Sequence, residues 1–350
     1  MSASLRIALI GAGDNTRKRH IPGLRAIPGV EIVAVCNRRE ESTKAVAKEF
    51  GIPQAYSRWQ DVIELDRIDA IVIGAWPYLH RPVTLAALEA GKHVLTEARM
   101  SLNAAEAREM LAASQAHPKL VAQIVPSPYG LAGDRVMREL IDAGYLGDLR
   151  EYHVHAQLGN LADENAPLTW RQDALISGYN MLSLGILHET LLRWLPSPTR
   201  VLAQACAFIP QRIDPSSGIH REVETPDSVQ VLTILSNGAR GIYQFSGVVP
   251  FGAGMGVRLY GSKGTLHYDI AADRIFGTQS AGPLQEIPIP ADKKQVWRVE
   301  EDFVRSIREG TPVTLTNFAT GVAYMEFTEA VARSALSGAA VELPLGEGEQ

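Results

Sequence analysis

The chain has 350 residues, 46% of them apolar and 21% charged, with a net charge of −5 and no block of like charges. That length exceeds one ordinary core and predicts two domains, while the charge balance gives no electrostatic reason to expect nucleic-acid or membrane binding. No stretch reaches the ~18 apolar residues of a membrane span, the start MSASLRIALIGAG lacks a signal-peptide layout, and the two cysteines, Cys36 and Cys206, sit far apart in apolar strand-like runs; the expectation is a cytoplasmic protein with two buried thiols and no disulfide framework.

In chain order, LRIALIG (5–11) reads as a buried strand ending in a glycine turn, and 20–27 as a helix. EIVAVCN (31–37) is a second strand and 40–50 a helix closed by Gly51. A short strand starts at Ala55-Tyr56, followed by a helix over 59–65, a strand over 69–75, a helix over 80–90 stopped by Gly91, and the strand HVLTE. Asn103 with Glu106 three residues on predicts a capped helix over 103–116, and LVAQIV (120–125) is a sixth strand. This βαβ repetition predicts a doubly wound parallel sheet. After Gly147 the period changes to two. EYHVHAQLG (151–159) alternates Tyr152, Val154 and Ala156 against His153, His155 and Gln157, and similar runs follow at 200–209, 228–236, 239–249, 256–262 and 264–269, with a hairpin turn at SNGA (236–239). A large, mostly antiparallel sheet is expected, interrupted by an apolar helix over 180–195, with helices over 296–310 and 321–338 at the end. The polar stretch 210–227 reads as the most mobile loop.

The turn after the first strand is Gly11-Ala12-Gly13-Asp14-Asn15-Thr16. Gly11 permits a tight turn and Gly13 lets backbone amides approach a diphosphate at a helix N-terminus; Thr16 stands at the place of the fingerprint's third glycine. With a strand before it and a helix after it, the turn predicts a dinucleotide site. At the end of the second strand, where an acid would bind both ribose hydroxyls of NAD, the chain has Asn37-Arg38-Arg39. An amide and two guanidinium groups suit a 2′-phosphate, which favours NADP over NAD; the competing reading is two arginines solvating a loop.

These stretches together resemble the glucose–fructose oxidoreductase / inositol dehydrogenase / MocA (Gfo/Idh/MocA) family. The resemblance runs through GAGDNTRKRHIPGLRAIPGVEIVAVCNRR, DAIVIGAWPYLHRPVTLAALEAGKHVLTEA and RELIDAGYLGDL, then WRQD…SGYNMLSLG, LYGSKGTLHYD and EEDFVRSIREGTPV, and covers nearly the whole chain. It implies an α/β protein: an N-terminal Rossmann domain over 1–125 and a C-terminal α+β domain over 126–350 built on a large, mostly antiparallel open sheet, the last helices being candidates to pack back on the first domain. It also implies a small-molecule substrate, hydride transfer between a nicotinamide and a secondary alcohol of a sugar, polyol or related compound, and a homodimer or homotetramer formed through the C-terminal sheet.

Two departures from the family pattern stand out. Where members usually carry Glu-Lys-Pro, with the lysine at the reacting hydroxyl, this chain has Glu97-Ala98-Arg99. Where members commonly carry Asp and His four residues apart and an acid three residues on, gapless matching gives Ser183, Leu187 and Thr190; His188 is one residue late, about 100° around a helix. Both usual proton-handling side chains are missing, so the substrate end looks rebuilt.

The resemblance and the turn together name the candidate site. Cofactor contacts are Gly11, Gly13, Asp14, Asn15, Thr16, Asn37, Arg38, Arg39, Trp76, His80 and Glu97; substrate contacts are Arg99, Tyr129, Trp170, Arg171, Asp173 and Asn180; catalytic candidates are His188, Tyr179 and Glu97. His80 has the competing role of starting the helix that follows it, and His188, with Glu189 beside it, that of a core histidine satisfied by a neighbour. His153 and His155 share a sheet face without a third ligand at suggestive spacing, so no metal is expected. Three functions follow: an NAD(P)-dependent oxidoreductase with non-standard proton handling; a lyase, hydratase or glycosidase that keeps its nicotinamide bound and shows no net redox; or a non-catalytic nucleotide-binding protein.

Overall fold

The computed structural model describes residues 4–126 and 131–346. The chain divides into two compact units, Met1–Pro126 with Arg298–Val322, and Ser127–Trp297 with Ala323–Gln350.

The first unit holds a six-stranded sheet of β1 (Leu5–Ile10), β2 (Val30–Cys36), β3 (Gln54–Tyr56), β4 (Ala70–Ile73), β5 (His93–Thr96) and β6 (Ala122–Ile124), in the order β3-β2-β1-β4-β5-β6 and parallel throughout. The order reverses between β1 and β4, and ligands of such sheets bind at the carboxyl ends of the strands there. Ile7, Leu9 and Ala70–Ile73 are fully buried, which is why these strands read as continuous apolar runs: helices cover both faces. Those helices are α1 (Ile21–Ala26), α2 (Glu40–Glu49), α3 (Trp59–Ile63), α4 (His80–Glu89) and α5 (Ala104–Ala116). Asn103 caps α5 by accepting from Glu106 N at 2.8 Å. The stretch 298–322 joins this unit because Ile124 N donates to Thr316 O at 3.0 Å, extending the backbone bonding of β6.

The second unit is built on nine strands: β7 (Leu149–Gln157), β8 (Pro198–Cys206), β11 (Ser228–Leu235), β12 (Arg240–Ser246), β13 (Gly254–Gly261), β14 (Thr265–Asp269), β15 (Arg274–Thr278), β16 (Gln285–Ile287) and β17 (Val341–Glu342). Their order is β16-β15-β14-β13-β7-β12-β11-β8-β17, and every neighbouring pair is antiparallel except β7–β12. The period-two reading holds residue by residue. Tyr152, Val154 and Ala156 face the core with Val229, Val231, Tyr243 and Phe245, while Leu202, Leu232, Ile234 and Ile242 lie on the open face. The same alternation corrects one expectation: Cys36 is buried, but Cys206 falls on the outward face at the end of β8 and is exposed.

Two further expectations change. The stretch 210–227 contains a two-stranded ribbon, β9 (Gln211–Ile213) paired with β10 (His220–Glu222), rather than an unstructured loop. Its buried Arg212 donates to the carbonyls of Leu161, Asp163 and Ala166, a role hidden in a sequence that is otherwise polar. The apolar helix is shorter than 180–195: α8 spans Leu184–Leu191. Asn180 Nδ2 donates to Ser177 O at 2.6 Å, at the end of α7 (Ala174–Ser177), and Leu182 has φ +47°, so the chain enters α8 only after a left-handed residue. The unit also holds α6 (Asp134–Asp142); α9 (Val299–Glu309) belongs to the first unit, and α10 (Phe318–Ser337) follows it in the chain. Among the described residues no helix is long and apolar enough to cross a membrane.

Candidate functional site

Gly11 turns the chain at the end of β1 with φ +86°, and a Cβ there would lie 2.3 Å from Ala75 N. Only glycine fits that turn against the end of β4. Thr16, at the place of the third glycine, donates from Oγ1 to Gly11 O at 3.2 Å and packs on Gly74, where a Cβ would come within 2.0 Å of that oxygen. The close helix–strand approach that the third glycine normally allows is kept here by a glycine on the strand side. Gly13 differs from both: the nearest atom to a Cβ built on it is Gly74 O at 3.7 Å, so the fold itself leaves room for a side chain. Bare backbone at that point is what a diphosphate needs, and the turn fits a dinucleotide on this observation.

A cavity of about 560 Å³ opens over this turn. Gly11, Gly13, Asn37, Trp76, Ser42 and Trp59 line it, together with Arg17, Arg38, Arg39 and Arg58; among the described residues no carboxylate does. Arg17 is paired with Glu49, and Arg58 lies 3.7 Å from Asp61. Arg38 stacks over the Trp76 ring at 5.1 Å, and neither Arg38 nor Arg39 has an ion pair among the described residues. Asn37 is committed to the loop: Oδ1 accepts from Ala12 N at 2.7 Å and Nδ2 donates to Ser42 O at 3.2 Å. Asp14 is exposed and pairs with Lys18, away from the cavity lining.

Beneath the turn lies a buried charged group that the sequence did not reveal. The helix after Gly13 opens with a π-type turn, Thr16–His20, before α1. His20 is 0% exposed, with Nδ1 2.5 Å from Glu300 Oε1 and Nε2 3.0 Å from Glu97 Oε1; Asn15 Nδ2 donates to the same Glu97 oxygen. Burial opposes charge on His20, but its bonds to Glu300 and Glu97 outweigh this and raise it to about 9. Burial likewise opposes charge on Glu97, yet the bond and charge of His20 and the bond from Asn15 hold it below the ordinary range, as an ionised acceptor.

The end of β5 carries nothing titratable at Ala98, and Arg99 is nearly buried. His80 joins the ends of β4 and β5, with Nδ1 2.8 Å from Arg99 O and Nε2 2.9 Å from Ala75 O. Burial lowers it below its ordinary value, and it does not line the cavity.

In the second unit, Arg171 stacks on Trp170 at 4.3 Å. Asp173 caps α7 by accepting from Leu175 N at 3.0 Å and pairs with Arg221 at 3.1 Å, which ties the ribbon β9–β10 to this segment. Tyr179 is 38% exposed, whereas Asn180 is buried. Tyr129 lies outside the described residues. His188 is in the core: Nδ1 meets Tyr243 Oη at 2.8 Å, the ring stacks on Phe327 with centroids 3.7 Å apart, and Nε2 has no hydrogen-bond partner among the described residues. Burial alone lowers it to about 3, so it is neutral at physiological pH. Its chain neighbour Glu189 pairs with Arg193, at 2.6 Å.

A parallel sheet of Rossmann order with a diphosphate-sized glycine turn and a basic cavity at its switch point defines a dinucleotide-binding protein. The sequence family described as "Oxidoreductase family, NAD-binding Rossmann fold" matches residues 5–124, and the Gfo/Idh/MocA C-terminal domain matches residues 135–267. The chain belongs to the Gfo/Idh/MocA oxidoreductase family. It is 26% identical over 333 residues to an uncharacterized oxidoreductase of Synechocystis sp., covering 88% of each chain. It is 29% identical over 226 residues to trans-1,2-dihydrobenzene-1,2-diol dehydrogenase of Mus musculus, covering 64% of this chain and 63% of the relative. Its fold matches that of levoglucosan dehydrogenase in complex with NADH and L-sorbose, with a TM-score of 0.86 at 20% identity, over 97% of this chain and 99% of the other. An oxidoreductase domain protein of Kribbella flavida matches with a TM-score of 0.86 at 22% identity, over 98% and 100%.

Proposed function

We propose that the protein is an NADP-linked oxidoreductase that moves hydride between the nicotinamide and a secondary alcohol or ketone of a sugar, polyol or related small molecule. One observation carries the coenzyme choice: among the described residues, the cavity at the ends of β1 and β2 is lined by Arg38 and Arg39 and by no carboxylate. A carboxylate there would accept from a 2′-hydroxyl and repel a 2′-phosphate; guanidinium groups do the reverse. The substrate class is supported by the names of relatives, which include the diol dehydrogenase above and a dTDP-3,4-didehydro-2,6-dideoxy-alpha-D-glucose 3-reductase of Streptomyces violaceoruber, 34% identical over 147 residues.

The coenzyme, when bound, supplies the hydride donor or acceptor. The protein's share is to hold and orient. Gly11 shapes the turn, its own amide held by Cys36 O at 2.8 Å, Gly13 presents bare backbone to the diphosphate, Arg38 and Arg39 meet the 2′-phosphate, and Glu97 anchors the helix start through Asn15. Ala98 has no proton to give, and His188 is neutral and enclosed by aromatic rings, so the proton is assigned to Tyr179, whose residue is 38% exposed. Arg99, Trp170, Arg171, Asp173 and Asn180 are assigned to the substrate side by family position, with the Arg171 guanidinium over the Trp170 ring. Copies of the chain pair through the open face of the nine-stranded sheet, where Leu202, Leu232, Ile234 and Ile242 are exposed around a cavity of about 440 Å³.

The test is to bind each coenzyme to the purified protein and then screen polyols and aldoses by nicotinamide absorbance. Tighter binding of NADP and turnover on a member of the panel support the reading; equal binding of both coenzymes removes the 2′-phosphate assignment. Ala98 and the enclosed His188 together also favour a protein that binds coenzyme without turning over, and turnover on any substrate removes that second reading.

A further inference from the structure

His20 is bonded at both ring nitrogens by carboxylate oxygens, Glu300 at 2.5 Å and Glu97 at 3.0 Å. An ionised carboxylate accepts only, so two such bonds call for a donor at each ring nitrogen, which the imidazolium supplies; Asn15 Nδ2 lies at a longer 3.5 Å from Nε2. The helix is shaped for it. Gly23, just past His20, has no side chain where a Cβ would lie 2.8 Å from Glu300 Oε2, so the glycine admits the carboxylate. The group reaches the coenzyme turn through one further bond: Asn15, two residues after Gly13, donates to the Glu97 oxygen that His20 holds.

We propose that His20 is a positioning residue for the coenzyme: held as a cation between Glu97 and Glu300, it fixes Glu97, which fixes Asn15, and this chain of bonds sets the backbone after Gly13 that carries the diphosphate. The proposal rests on the coenzyme reading above. When His20 loses its proton, one carboxylate faces a lone pair, the chain of bonds is broken, and coenzyme affinity falls. Among the described residues, the charged and titratable groups facing this cluster are Glu97 from the end of β5, Glu300 from α9, and His80 from α4, which burial lowers below its ordinary value. Over the alkaline range His20 is therefore the member that titrates.

The test is coenzyme affinity against pH on the full chain, read by NADPH fluorescence from about pH 7 to about pH 10, together with 15N signals of the histidine ring in the coenzyme-free protein. Affinity is expected to fall about tenfold across a step near pH 9, matched by loss of one ring proton from His20 at the same midpoint. His20→Gln should bind more weakly and show no step. Glu300→Gln keeps the imidazole but removes one carboxylate, and should move the midpoint toward neutrality by about one pH unit or more; it decides the matter if His20→Gln does not fold. A role confined to stability would show the ring titration without a matching step in affinity, and that result overturns the proposal, as does an unchanged step in His20→Gln. Failure to bind either coenzyme at any pH overturns the coenzyme reading itself, and this inference with it.

Discussion

His20 and His188 are both buried, at 0% and 2% exposure, and they sit in opposite electrostatic states. In the first unit two carboxylates and a backbone turn surround the imidazole, which is raised to about 9. In the second unit a tyrosine hydroxyl and the Phe327 ring surround it, and burial lowers it to about 3. Burial therefore does not decide whether a histidine is charged; the partners do. The contrast also separates the two ends of the chemistry. The coenzyme turn is underlain by a charged network, while α8 has its one imidazole turned into an aromatic core.

The sharpest way to break this comparison is to remove each ring. His20→Leu leaves Glu97 and Glu300 buried without their cation, and is expected to lose about 4 kcal/mol near pH 8 in chemical denaturation. The loss should shrink in acid, where the stranded carboxylates take up protons. The wild-type sign follows from linkage. The pKa of His20 is higher folded than its ordinary 6.5, so its contribution is complete below pH 6.5 and is lost as pH rises through about 9. An alkaline slope that survives in His20→Leu would show that the charge pair is not its source.

His188 predicts the reverse slope. Its folded value is depressed, so its contribution is present above pH 6.5 and is lost as pH falls toward about 3. His188→Leu should cost about 1–2 kcal/mol near pH 8, from the lost Tyr243 bond and the poorer fit on Phe327, and should be more resistant than wild type to acid. A catalytic His188 would instead give a variant that keeps its stability profile and loses turnover.

What was legible in the sequence follows the same division. The strands of both sheets were readable because burial on two faces or one leaves period-one or period-two apolar patterns, as in Ala70–Ile73 and Tyr152–Val154–Ala156. Gly11, Gly13 and the arginines after β2 were readable because their chemistry is local to one βα unit. His20 was not, since its partners lie 77 and 280 residues away. A signal was present: His20 sits beside Ile21 and Leu24 on a buried face, and Glu300 beside Val299, Phe303 and Val304 on another. Two ionisable residues of opposite sign, each on an apolar stripe, are candidates to be partners. For His188 the sequence offered both a catalytic and a core reading; what it did not show was the start of α8, which follows the left-handed Leu182.

Arg38→Ala tests the coenzyme end directly. NADP affinity should fall about tenfold or more, the worth of one charge-assisted contact, and NAD affinity about threefold or less from loss of the stack on Trp76. Isothermal titration of both coenzymes reads the ratio. Equal losses would mean that Arg38 serves the Trp76 wall and not a phosphate.

The smallest effect on stability, and the cleanest on function, belongs to Gly13→Ala. A Cβ at that position meets nothing nearer than 3.7 Å, and its φ is not in the left-handed region, so unfolding free energy should change by no more than about 0.5 kcal/mol in either direction. The methyl group would project where a diphosphate approaches the turn, so affinity for both coenzymes should fall together while the histidine titrations of the free protein stay as in wild type. Gly11, by contrast, is required by the fold whether or not a ligand binds, because of its φ and its 2.3 Å approach to Ala75. A stable Gly13→Ala protein with undiminished coenzyme affinity would show that this glycine is not reserved for a ligand, and would leave the charged network around His20 as part of a Rossmann core with no turn to serve.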